Sequence, residues 1–434
     1  MKHAKNNKRV KKTGGSSNRQ SRDLNSYSNT NRDIVSKTPK SKRILDIISK
    51  ILFPIEMLLV IALIIYATLI QIFPITYIFV FIVLLGILAG VHIKLLSGRK
   101  RRIRRKRIIS LCISICMFVV SAFGMSYMGI INGAIGDIAI GKEENDDQVG
   151  NIAKHPFVVY LSGVDTVNPT EIKDKALSDV NIIVVVNPKQ KRILMVSTPR
   201  DYYVALDGDP NKMDKLTHAG SRGIECSMRT LEALYDIEFN YYAKVNFKSV
   251  VDIVDAVGGV TVHSDFNFSS YASFTEKTYY FKKGDNDLTG DSALAFARER
   301  QSFSLGDRQR GIHQQVLIKA VVEKAISPSM LIPSKIEQML QAVSNNTKTN
   351  FAEKEIKKLI SYQMSTMGKA WEFESMSVDG KGDSAYTYTY PRQALYVMRP
   401  DMETVNAAKL AINAVIAGEE LPKDDDSSNV SSSK

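Results

Sequence analysis

Arg298-Glu299-Arg300 is followed, after six residues, by Asp307-Arg308-Gln309-Arg310. Four arginines and two acids thus fall within 13 residues, in a segment that is not otherwise a charge run. A guanidinium is a planar fork of donors that matches phosphate oxygens two at a time and stays protonated at any working pH. Arginines this close repel one another unless a polyanion sits among them, so the expected ligand is a phosphate or pyrophosphate. The plainer alternative is a solvated helix face laced with Glu–Arg pairs.

Other polar residues fit the same chemistry. Asp165 follows an apolar run and a glycine in Leu161-Ser162-Gly163-Val164-Asp165, and Asp179 directly precedes the apolar run NIIVVV. Two carboxylates at neighbouring strand ends suit Mg²⁺, which takes one or two carboxylates together with phosphate oxygens and water. Loop capping is their alternative role. Pro199 fixes φ and ends a strand, which leaves Arg200, beside Asp201, at its tip. Lys212, Lys215 and His218 recur every three residues just before a helix, whose N-terminus favours anions. Gln314 and Gln315 lie one turn beyond the arginine cluster. No serine–histidine–acid array and no cysteine nucleophile accompanies these groups: Cys112 and Cys116 lie in an apolar run, and Cys226 stands alone.

The elements that position these residues are legible from periodicity. Phe157–Leu161, Asn181–Asn187 and Arg192–Ser197 read as strands, the second so continuously apolar that both its faces must be covered. Tyr241–Phe247, Val260–His263 and a stretch near Trp371–Val378 read as further strands. Helices are expected over residues 218–236, 249–257, 291–298, 309–325, near 352–364 and over 402–417. Strands alternating with helices predict an α/β (α+β) sandwich, a central mixed sheet flanked by helices.

The rest of the chain is organised by charge. Of 434 residues and a net charge of +13, the segment 1–50 and the run 99–107 together carry +19, which leaves 108–434 at −6. Between and after the basic blocks lie three apolar runs, Ile51–Ile72, Ile75–Leu96 and Ile108–Ile131. Each has the roughly 20 residues a membrane-spanning helix needs. Pro74 sits in the short link between the first two, which makes them a hairpin. The expected organisation is a disordered basic segment (1–49), three transmembrane helices (50–132) with a basic loop (97–107), a linker (133–153), a folded domain (154–420) and a disordered tail (421–434). Both basic blocks fall on one side of a hairpin, and the positive-inside rule makes that side cytoplasmic. An odd third span then carries the folded domain outside the cell. The basic blocks lack aromatic interleaving and any reader motif, which argues against nucleic acid. Anionic lipid headgroups are the expected partner of that charge. Outside the membrane there is no ATP, so phosphate chemistry needs an activated donor delivered at the bilayer, such as a polyprenyl-pyrophosphate-linked sugar.

At these residues the chain resembles the LytR–CpsA–Psr family of cell-wall assembly enzymes. The matching pieces are LSGVDT, LSDVNIIVVVNPKQKRILMVSTPRD, DKLTHAG, YYAKVNFKSVVDIVDAVGGVTV and LTGDSALAFARERQSFSLGDRQRGIHQQ, in family order over about residues 155–325. The three-span N-terminus looks like the capsule-associated branch. The resemblance implies an extracellular phosphotransferase that moves a glycopolymer, whether capsule or teichoic acid, from a polyprenyl-pyrophosphate carrier onto peptidoglycan. It implies that Asp165 and Asp179 hold Mg²⁺ and that Arg200, Arg298, Arg300 and Arg310 clamp the phosphates. Asp307 and Arg308 would support them, Gln314 would lie nearby, and Lys215 would contribute from the DKL element. Apolar residues of sheet and helices would line a tunnel for the prenyl chain. Where the family carries arginine before the second strand, this chain has Leu177. The rival readings are a non-catalytic membrane regulator or polyprenyl-phosphate binding protein, and a pyrophosphohydrolase. Deleting residues 1–45 separates the first from a transferase, since a regulator acting through its tail would fail and an enzyme would still transfer.

Overall fold

The structure, a computed structural model, describes residues 40–97, 103–139, 152–164, 172–272, 275–331, 333–366 and 369–422. The segments expected to be disordered, 1–49 and 421–434, lie outside this set except for their inner ends, as do Asp165 and most of the stretch read as a linker.

Three long helices come first: α1 (Lys40–Leu69), α2 (Ile75–Leu96) and α3 (Ile103–Ile138). Their apolar spans, Ile44–Leu69, Ile75–Leu96 and Arg105–Ile138, are long enough to cross a bilayer. The bundle has a polar seam. His92 Nδ1 lies 2.5 Å from Glu56 Oε1, and its Nε2 lies 2.7 Å from Ser110 Oγ, so one buried imidazole ties all three helices together. Arg107 pairs with Asp46 and donates to the last carbonyls of α2, Leu95 (3.2 Å) and Leu96 (2.8 Å). Polar groups at membrane depth are tolerated when they satisfy one another inside the bundle. The third helix runs on through Ile138, past the Ile131 end read from hydropathy. The reason is burial: Ile131, Ala134, Ile135 and Ile138 pack against Leu340, Ile336, Val343, Ile356 and Ile360 of the domain that follows.

The domain after the three helices begins with β1 (Phe157–Val164), β2 (Ser178–Asn187) and β3 (Arg192–Ser197). A small hairpin, β4 (Tyr203–Ala205) and β5 (Met213–Lys215), leads to α4 (Leu216–Gly220) and α5 (Ile224–Tyr235). Next come β6 (Tyr241–Asn246), α6 (Phe247–Ala256), β7 (Val260–Ser264), the hairpin β8 (Phe268–Ala272) and β9 (Lys277–Phe281), and β10 (Gly284–Leu288). Then follow α7 (Gly290–Arg298), α8 (Asp307–Ala325), α9 (Pro333–Asn346), β11 (Thr347–Thr349) and α10 (Glu353–Ser365). The chain closes with β12 (Glu372–Ser377), the hairpin β13 (Gly380–Tyr386) and β14 (Ala394–Pro400), and α11 (Met402–Ala417). The helix expected over 218–236 is broken between α4 and α5 at Gly223, whose φ of +120° an L side chain rarely adopts.

The main sheet has the order β11-β6-β1-β2-β3-β12. It is mixed: β2 runs antiparallel to β1 and β3, while β6 is parallel to β1 and β12 to β3. Both faces are covered, which explains the unbroken apolar run of β2. Ile183, Val185, Leu194 and Val196 meet Leu231 and Tyr235 of α5 and Val405, Ile412 and Val415 of α11. Ile182, Ile193 and Met195 face Ile318 of α8, with Trp371 and Phe373. The period of two along each strand divides the two cores.

A third core joins α6, α7 and α8 to the smaller hairpins. His313 sits inside it, its ring stacked on Phe268 and Phe296 with centroids 5.2 and 4.3 Å away. Burial pushes this imidazole down to about 4, and the nearby Phe296 carbonyl opposes the shift only in part. An unfolded histidine titrates near 6.5. The unfolded chain therefore takes up a proton between pH 6.5 and 4 that the folded domain refuses. The corresponding stability, about 3 kcal/mol, is complete above pH 6.5 and is lost as pH falls through 4. Melting temperature should drop over that window, and His313→Phe should flatten the drop. An unchanged slope would show that the imidazole takes up its proton equally in the folded and unfolded chain.

Candidate active site

The carboxyl ends of β1, β3, β6 and β12 lie at one edge of the sheet, where β2 begins. Open α/β sheets bind ligands outside that edge. The β2–β3 register pairs Ile182 with Ser197, and carrying it three residues further sets Asp179 opposite Arg200. Arg200 Nη1 donates to Asp179 Oδ1 at 2.7 Å. Beneath them a buried polar network fixes the start of β2: Tyr160 Oη donates to Asn181 Oδ1 (2.6 Å), and the Ser162 and Ser178 hydroxyls lie 2.8 Å apart.

The other wall is the first two turns of α8. Asp307, Arg310, Gly311 and Gln314 recur at i, i+3, i+4 and i+7, so they share one face. All four line a polar pocket with Asp179, Arg200, Arg308, Ser197 and Thr198. Gly311 permits this approach, since a Cβ there would meet Ser197 Oγ at 2.9 Å. Gln315, on the next face, donates to the carbonyls of Met195 (3.2 Å) and Met376 (2.8 Å) and ties α8 to β3 and β12.

Asp307 is the electrostatic centre. Its Oδ1 lies 2.7 Å from Arg310 Nη2 and 4.0 Å from both Arg200 Nε and Arg300 Nη1. Asp201 Oδ2 lies 3.8 Å from Arg200 Nε, and its Oδ1 accepts from Lys215 Nζ at 2.8 Å. Arg308 Nη1 donates to Asp379 Oδ2 at 2.6 Å. The self-repulsion expected of the cluster is thus relieved internally, by Asp179, Asp201, Asp307 and Asp379. Arg310 nevertheless has its pKa lowered, chiefly by burial, with Asp307 opposing and Arg200 adding to the effect. It is a guanidinium stripped of water with less counter-charge than it could use.

The structure brings Asp179, Arg200, Asp307, Arg308, Arg310 and Gln314 to one pocket. Arg300 reaches the group through Asp307 and is half exposed. Lys215 acts through Asp201 and does not line the pocket. Arg298 does not line that pocket; its guanidinium lies over the Phe247 ring, 4.1 Å from the centroid, and it lines an adjoining pocket with Gln314. Asp165 lies outside the described residues. Leu177 is exposed at 47%, and Lys175, two residues before it, lines a different cleft with α5 and β6. Asp379 was missed in the sequence; the signal was a carboxylate just beyond the strand expected near Trp371–Val378, which the fold pairs with β3 so that it ends beside Ser197.

A second pocket adjoins the first and is almost wholly apolar. Leu161, Gly163, Val245, Phe247, Val250, Leu294, Ala297, Leu317 and Ile318 line it, with Arg298 at its rim. Val180 and Gln314 belong to both pockets, so the arginine site opens directly onto a hydrocarbon-lined one. Among the described residues no group of three or more His, Cys, Asp or Glu side chains could hold a metal alone.

Residues 132–404 match the LytR_cpsA_psr family. Over 214 residues the chain is 37% identical to the polyisoprenyl-teichoic acid–peptidoglycan teichoic acid transferase TagU of Bacillus mycoides, which covers 49% of this chain and 66% of that protein. The same-named protein of Bacillus licheniformis is 34% identical over 262 residues, 59% of this chain and 81% of its own length. Among solved structures, protein gbs0355 from Streptococcus agalactiae superposes with a TM-score of 0.51 at 28% identity, covering 62% of this chain and 90% of that one. TagV of B. subtilis gives a TM-score of 0.50 at 27% identity, covering 62% and 99%.

Proposed function

This chain belongs to the LytR–CpsA–Psr family, and on that footing we propose that it transfers a glycopolymer from a polyprenyl-pyrophosphate carrier onto peptidoglycan through a new phosphodiester. The observation that carries the reading is the junction of the two pockets at Val180 and Gln314. A polyanionic head beside arginines and a long hydrocarbon tail in an apolar slot together describe a prenyl pyrophosphate. The names of the TagU relatives point to teichoic acid as the polymer class. The basic ends of the membrane hairpin support a cytoplasmic N-terminus and a domain outside the cell.

In this reading the pyrophosphate enters among Arg200, Arg310 and Arg300 and displaces Asp307 as their counter-ion. Phosphoryl transfer asks a protein mainly for positioning and charge neutralisation. The acceptor hydroxyl forms the new bond to the sugar-proximal phosphorus and gives its proton to water or the departing phosphate, the bond to polyprenyl phosphate breaks, and the arginines stabilise the charge growing on that leaving group. Asp201 and Lys215 hold Arg200 in place from behind. Asp179, with Asp165, would hold Mg²⁺. A lone pair of carboxylates fits this ion, which draws its other ligands from phosphate and water, and when bound it would neutralise phosphate charge.

The test is incubation of the full-length chain with a lipid-pyrophosphate-linked sugar, peptidoglycan fragments and Mg²⁺, read by mass spectrometry for a sugar-phosphate on the glycan. An adduct is expected, and EDTA is expected to abolish it. An adduct that persists in EDTA removes the metal from the scheme. Donor binding with no adduct moves the assignment to a lipid-carrier binding protein, with the exposed Leu177 as the first residue to restore to arginine.

A further inference from the structure

A second cluster of cations lies on the opposite face of the sheet edge. In β6 the side chains alternate: Val245 lines the apolar pocket, while Tyr242 and Lys244 point into a cleft closed by the start of α5, by β11 and by the residues before β2. Lys175, Arg222, Arg229, Lys244 and Lys348 line this cleft against only Asp174 and Glu225. Arg229 is paired with Asp207 (2.8 Å) and Lys348 with Asp174 (2.7 Å). No carboxylate of the described residues forms an ion pair with Lys175, Arg222 or Lys244. Lys244 is only 3% exposed, and its ammonium donates to two neutral carbonyls, those of Lys173 and Asp174, each at 2.7 Å. Burial, only partly offset by Asp174, pushes it down to about 8. A buried cation without its own counter-ion, among exposed ones, is built to receive an anion.

The position of the cleft says which anion. Lys175 is four residues from Asp179, at most about 14 Å along the chain. Gly220 of α4 packs so tightly on the intervening turn that a Cβ would meet the Ala176 carbonyl oxygen at 2.5 Å. The cleft therefore lies near the arginine site on the α5 side of the sheet, while the hydrocarbon slot adjoins that site on the α6–α8 side. In an in-line displacement the attacking and leaving oxygens lie on opposite sides of phosphorus. The leaving group carries the hydrocarbon tail, so the attacking hydroxyl comes from the side of the cationic cleft. We propose that this cleft binds the carboxylates of the acceptor, the glycan–peptide strand of peptidoglycan, and so presents its hydroxyl to the phosphorus. The proposal rests on the transferase reading above.

The test is calorimetric binding of a soluble peptidoglycan fragment, a disaccharide-peptide repeat, to the full-length chain in detergent. Lys175→Glu and Arg222→Glu change exposed residues outside the arginine site. Each is expected to weaken fragment binding about tenfold, as is amidation of the fragment's carboxylates, while affinity for the lipid-linked donor stays within about twofold. Equal fragment affinity in wild type and the double variant, or no fragment binding by wild type, overturns the proposal. Loss of donor affinity with fragment binding intact also overturns it and assigns the cleft to the phosphates of the donor polymer. If the expected binding pattern holds in a protein that makes no adduct, the transferase reading falls, the cleft's role as an acceptor site falls with it, and the cleft is left as a peptidoglycan-binding site.

Discussion

Arg310→Ala is expected to slow glycopolymer transfer by about 10²–10³-fold, the loss seen when one preorganised donor is removed from a site of developing charge. Arg310 has a side chain only 12% exposed and lies 2.7 Å from Asp307. It is therefore already oriented, and its water is already gone, before substrate arrives. Arg200→Ala is expected to fall in the same range, since Asp179 and Asp201 hold its guanidinium from two sides. Arg300→Ala should cost less: its side chain is 47% exposed, it stands 4.0 Å from Asp307, and it must order on binding. The measurement is the initial rate of adduct formation, with a melting curve to show that each variant is folded. Wild-type turnover by Arg310→Ala would sink the clamp.

Val250→Trp is expected to separate the two halves of the donor. Val250 is half-buried on α6 and lines the apolar pocket, so an indole there occupies the space of the prenyl chain while lying outside the pocket of Arg200 and Arg310. Each buried methylene contributes about 0.8 kcal/mol, so excluding even four of them removes roughly 3 kcal/mol, or about a hundredfold in affinity. Donors with a full-length polyprenyl chain should lose that factor, whereas a donor truncated to one or two isoprene units should bind as it does to wild type. Equal losses for long and short donors would mean that the substitution disturbs the phosphate site and that the tail lies elsewhere.

Much of this site is local in origin. The face of α8 that carries Asp307, Arg310, Gly311 and Gln314 follows from helical spacing alone. The Asp179–Arg200 pair follows from two antiparallel strands joined by the Pro188–Lys191 turn. Sequence spacing also grouped Arg298 with its neighbours, but the course of its side chain was not legible there. Arg298 is the last residue of α7, and the chain turns at Glu299, which has extended backbone (φ −67°, ψ 129°). Its side chain therefore lies along Phe247 at the rim of the apolar pocket, while Arg300 beyond the turn reaches towards Asp307. One residue of non-helical backbone redirects a side chain, and no periodicity reports it.

The membrane spans, the alternation of strands and helices, and the segregation of positive charge are properties of consecutive residues, so the chain could be read for them directly. Hydrophobic length and period need no knowledge of what lies across the fold. Which carboxylate neutralises which arginine belongs to the fold alone. Asp379 reaches Arg308 from 71 residues away because β12 is parallel to β3 and ends beside Ser197. The extension of α3 to Ile138 depends on α9 and α10, whose apolar faces bury it. The cationic cleft beside α5 gathers Lys175, Arg222, Lys244 and Lys348 from four separate segments. Such groupings arise when distant segments share a sheet edge, and electrostatic energy falls off with distance through space and takes no account of separation along the chain.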